Sequence, residues 1–128
     1  MELAKYKFVD DSKEAFMEIL TVISYEKNKD EFISKVTEKI GLLAISNLIE
    51  TLDSVKKADA LAKFKAQDKN IIIQMTTEWF TENQLKNAYL KAFQTTAEDF
   101  IKNMGEELSE DQKSKINAIL QKPELKAQ

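Results

Sequence analysis

Phe80-Thr81-Glu82-Asn83-Gln84-Leu85 is the stretch on which the fold turns. Thr81 stands where a helix N-cap belongs and Gln84 three residues on, so hydroxyl and amide can each serve the other residue's backbone N–H. Phe80 and Leu85 flank this capping box as a hydrophobic staple. Beyond it, Leu85, Ala88, Tyr89, Ala92, Phe93, Phe100, Ile101 and Met104 keep helical spacing for about seven turns, as far as Gly105. Ser109-Glu110-Asp111-Gln112 is a second box of the same kind. It predicts a last helix with Ile116, Ile119 and Leu120 inward and a stop at Pro123.

Upstream, Ile71-Ile72-Ile73 has the β-branched character of a strand, but no second strand of similar quality exists to pair with it, so helix is the better assignment. Asp53 or Ser54 caps a helix whose Ala58, Leu61, Ala62 and Phe64 are expected to face inward. Leu42 to Leu52 is apolar round much of the helix circumference, as in a central helix covered on several sides. Gly41 either ends the preceding helix, marked by Phe32, Ile33, Val36 and Ile40, or lies within a longer one. That helix is expected to start at Asp30. The first helix shows Phe16, Ile19, Leu20 and Ile23 on one face, behind an acidic cap and N3 pair, Asp11 and Glu14. Lys5-Tyr6-Lys7-Phe8 alternates polar and aromatic and fits a short extended arm. The expectation is an all-α, single-domain bundle of about six helices over 1–128, with an N-terminal arm at 1–10 and a C-terminal tail at 123–128.

Composition then limits the chemistry. The 128 residues include no Cys, no His and no Arg, and all 19 cations are Lys. Thiolate chemistry, sulfur-ligated zinc or iron–sulfur sites and His-based triads are excluded. Without Arg there is no planar fork for phosphate or guanine, and a net charge of −3 draws in neither nucleic acid nor an anionic membrane. Twelve Ile and 7 Asn beside the Lys-for-Arg bias also fit a genome rich in A·T codons. Two Gly cannot build a phosphate-cradling loop. No apolar run reaches the roughly 20 residues of a membrane span, so the chain reads as cytoplasmic.

Four constellations remain. Asp10, Asp11, Glu14 and Glu18, and separately Glu106, Glu107, Glu110 and Asp111, are acidic helix starts of the kind the helix dipole favours. Asp68-Lys69-Asn70 begins like a calcium loop, but Ile72 and Ile73 occupy the positions that need an oxygen ligand and a Gly. Lys56, Lys57, Lys63, Lys65 and Lys69, against Asp59 and Asp68, form a basic stretch that suits either a solvated helix face or a docking patch for an acidic partner. Trp79 and Phe80 are adjacent, so on a helix they point about 100° apart. Burial tendency favours the core for both, and one that stays outside would suit a partner surface.

The function expected is a non-enzymatic protein–protein interaction module: an adaptor, accessory subunit or inhibitor. Trp79, Phe80, Lys56, Lys57 and Lys63 are the residues to test for partner binding. No catalytic, cofactor or metal residue is assigned, and no nucleic-acid or membrane partner is expected; self-association stays open. The alternatives are a helical carrier of an apolar ligand and a carboxylate-based, Mg²⁺-dependent enzyme.

Overall fold

Both capping boxes form. Gln84 N donates to Thr81 Oγ1 at 3.2 Å and Thr81 N to Gln84 Oε1 at 2.8 Å. The second box matches it, with Gln112 N to Ser109 Oγ at 3.1 Å and Ser109 N to Gln112 Oε1 at 2.8 Å. The computed structural model describes residues 6–66, Gln74, Thr76 and 78–127, and among them there is no strand. The helices are α1 (Lys7–Val22), α2 (Lys29–Ile49), α3 (Ser54–Lys65), α4 (Glu82–Met104) and α5 (Glu110–Leu120). Short 3-10 turns follow at Gly105–Glu107 and Pro123–Leu125. Gln74, Thr76, Glu78 and Trp79 are helical as well, while Ile71 to Ile73 lie outside the described residues. The protein is all-α, with a helix number close to the six expected.

α1 starts earlier than its sequence suggests. Tyr6 is the N-cap and its ring stacks on Phe8, with centroids 5.1 Å apart. Residues 7–10, expected in an extended arm, are therefore helical, and Asp11 lies inside the helix rather than capping it. The cause is packing: Phe8 and Val9 are buried and Ser12 follows one turn on. The Ser12 hydroxyl donates to Phe8 O at 2.8 Å, which lets a polar side chain sit on the buried face. α1 closes without glycine. Ser24, at φ 58°, takes the left-handed position; its N–H donates to Thr21 O at 3.1 Å and that of Tyr25 to Leu20 O at 2.9 Å. Those two bonds satisfy orphan carbonyls at the helix end.

α2 is capped by Asn28, whose side chain accepts from Glu31 N at 3.1 Å, not by Asp30, which lies in the first turn. It runs straight through Gly41 for 21 residues. α2 and α4 make the broadest contact in the bundle, α1 packs on both, and α5 packs on α1. Phe16 joins the three: its ring lies 6.1 Å from Phe32, 5.9 Å from Phe93 and 5.8 Å from Phe100. Tilted and edge-on pairs of this sort each contribute about 0.5–1.5 kcal/mol beyond burial.

Residues 123–127 pack against the body rather than trailing from it. Leu125 is 1% exposed, and the turn that carries it lies on α1. Gln94 Nε2 donates to Leu120 O at 3.1 Å and to Leu125 O at 3.3 Å. Lys122 Nζ meets Glu18 Oε2 at 2.8 Å, and this hydrogen bond to the carboxylate raises the ammonium pKa.

Candidate partner-binding face on α3

α3 is the helix that carries the expected lysines, and Asp53 rather than Ser54 caps it, accepting from Lys56 N at 2.9 Å. Its orientation differs from the sequence reading. Ala60 is the one buried residue; Leu61 and Phe64 are half-buried, while Ala58 and Ala62 are exposed. The four apolar positions expected inside are thus divided between two faces. Val55, Ala58 and Ala62 occupy the outward one, and Val55 is 79% exposed.

Four Lys and one Asp decorate this helix. Lys57 Nζ turns back to Glu50 Oε2 at 2.6 Å, and Lys63 Nζ reaches Asp59 Oδ2 at 3.2 Å. Lys56 and Lys65 are exposed and make no ion pair among the described residues. Lys63 also lies 5.4 Å from the centroid of the Trp79 ring, close enough for a cation–π contact. Trp79 is half-buried against the core. Lys63 and Trp79 are therefore brought together, Lys56 stands free in solvent, and Lys57 is occupied by Glu50. Lys69 lies outside the described residues.

Phe80 belongs to the interior. It is 7% exposed, its N–H donates to Thr76 O at 3.3 Å, and it brackets the α4 cap with Leu85, which is 4% exposed. The staple thus takes the aromatic ring that adjacency to Trp79 had left available to a partner. Val55 is the residue that sequence reasoning passed over. Sequence offered no signal for it: three residues before Ala58 and seven before Ala62, Val55 shares the stripe that was assigned to the core.

The acidic clusters are spread over the solvent side. Asp11 pairs with Lys7 at 3.1 Å, Glu18 with Lys122, and Asp111 with Lys115 at 3.2 Å. Among the described residues no three His, Cys, Asp or Glu side chains gather to hold a metal ion, and no helix is long and apolar enough to cross a membrane. Comparison of the chain with protein-family models, with curated proteins and with solved structures finds no match.

Proposed function

We propose that this protein is a non-catalytic cytoplasmic accessory module, and that it binds an acidic protein partner through the outer face of α3 and the adjoining Trp79. The observation that carries the proposal is the composition of that face. An exposed Val55 and the outward Ala58 and Ala62 share this face with one acid, Asp59, which Lys63 holds. They lie between Lys56 and Lys65, neither in an ion pair among the described residues, on a helix with four Lys to one Asp in a chain whose net charge is −3. Apolar atoms at the centre of a solvent-facing helix surface gain from being covered. Lysines at its rim steer an acidic partner and disfavour a basic one.

The test is affinity capture from the native cell, read by mass spectrometry, with the full chain and the Lys56→Glu/Lys65→Glu double variant side by side. Acidic proteins recovered by the native chain and lost by the variant support the assignment. Equal recovery by both removes α3 as the site. Trp79→Ala tests the edge of the same face, whereas Phe80→Ala would report on folding, since Phe80 is buried.

A further inference from the structure

α3 is the most lightly held of the long helices. Of its 12 residues only Ala60 is buried, a single methyl group, whereas α1 buries seven of 16. The shorter α5 is fixed by Ile116, Ile119 and Leu120 and by a hydrogen bond from Gln112 Nε2 to Val22 O at 3.1 Å. No comparable bond ties an α3 side chain to α1, α4 or α5 among the described residues. Its ion pair to Glu50 joins side chains 36% and 60% exposed, where water and salt screen the attraction. The pair with Asp59 lies within the helix itself. A helix of this length has little stability of its own in water, so α3 depends on the small contact it makes.

We propose that α3 is a detachable strap: it unfolds as a unit while α1, α2, α4 and α5 stay packed, and in doing so it lifts Lys63 from the Trp79 ring. Regions with few buried apolar contacts open at far lower free energy than the global transition. Opening takes Ala60, Leu61 and Phe64 off the body and uncovers the indole. Anything seated on the closed strap holds it shut by mass action. The strap stands on packing alone, so it is independent of whether α3 docks a partner.

Hydrogen exchange of the full chain, read by mass spectrometry at neutral pH, tests this directly. The amides of α3 are expected to exchange as one group, about 100-fold faster than those of Leu90 to Ala97 in α4. Dilute urea should hardly alter the α3 rates, because little surface is exposed in the opening. Ile116→Val, in α5, weakens the body that stays packed, so it should speed α4 exchange a few-fold and leave α3 unchanged. Ala60→Gly, by contrast, should speed α3 exchange about fivefold. Trp79 is the sole indole, so its quenching by acrylamide should rise in the same variant. Protection of α3 equal to that of α4 overturns the proposal. So does an Ile116→Val variant that speeds both helices together.

Discussion

Tyr89 is 2% exposed, its ring lies 5.5 Å from that of Phe8, and its hydroxyl has no hydrogen-bond partner among the described residues. A buried phenol with an idle O–H forfeits the bonds it made to water, typically about 1–3 kcal/mol. Tyr89→Phe is therefore expected to be neutral or to stabilise by up to about 1 kcal/mol in urea denaturation at neutral pH. Burial also pushes the hydroxyl well above the ordinary phenol range. The sign follows. The folded chain keeps this proton after the unfolded chain has lost it, so the stability it contributes is whole below about pH 10 and is lost as pH rises beyond that. The advantage of Tyr89→Phe should then widen in alkali. A variant less stable than the native chain at neutral pH would mean that the hydroxyl is satisfied after all. Thr96 Oγ1, two turns further along α4, is buried without a partner in the same way.

At the scale of single elements, the two capping boxes differ in one respect that sequence does not display. Among the described residues Gln84 serves only its own cap, whereas Gln112 also donates to the carbonyl of Val22, the last residue of α1. Gln84→Ala should cost about 0.5–1 kcal/mol and Gln112→Ala about 1–2 kcal/mol, measured by chemical denaturation. Equal losses would show that the Val22 bond contributes nothing. The boxes themselves were legible because all their atoms lie within four residues of chain. The start of α1 was not: Tyr6 carries no capping signal, and Ser12 and Ala15 blur the stripe that Phe8 begins. The end of α1 was hidden similarly, since Ser24 takes a left-handed position where glycine is the usual mark. On α3, Ala58, Ala60 and Ala62 are chemically identical, and only the neighbours that a helix meets decide which alanine is covered. Of the candidate site, Lys56, Lys63 and Trp79 were therefore legible by type, but the outward place of Val55 was not.

Taken as a whole, the molecule depends on its last described turn more than Pro123 suggests. Leu125 lies beyond a helix stop, in a stretch with no periodicity, and its burial follows from contacts with residues over a hundred positions earlier. Such burial leaves no local trace in sequence. Leu125→Ala should destabilise the chain by about 2–4 kcal/mol, the usual range for a core leucine, and lower Tm. A change below about 0.5 kcal/mol, ordinary for surface positions, would place the turn outside the cooperative unit.

The pairing of α1 with α5 has a consequence for synthesis. α1 is made well ahead of part of its cover: Val22 waits for Gln112, 90 residues on, and Glu18 for Lys122, 104 residues on. Throughout elongation the emerging chain must carry Phe16, Ile19 and Leu20 without their full set of neighbours. The order of translation and the order of packing are thus opposed, and the nascent chain, rather than the finished protein, is the form most exposed to misassociation.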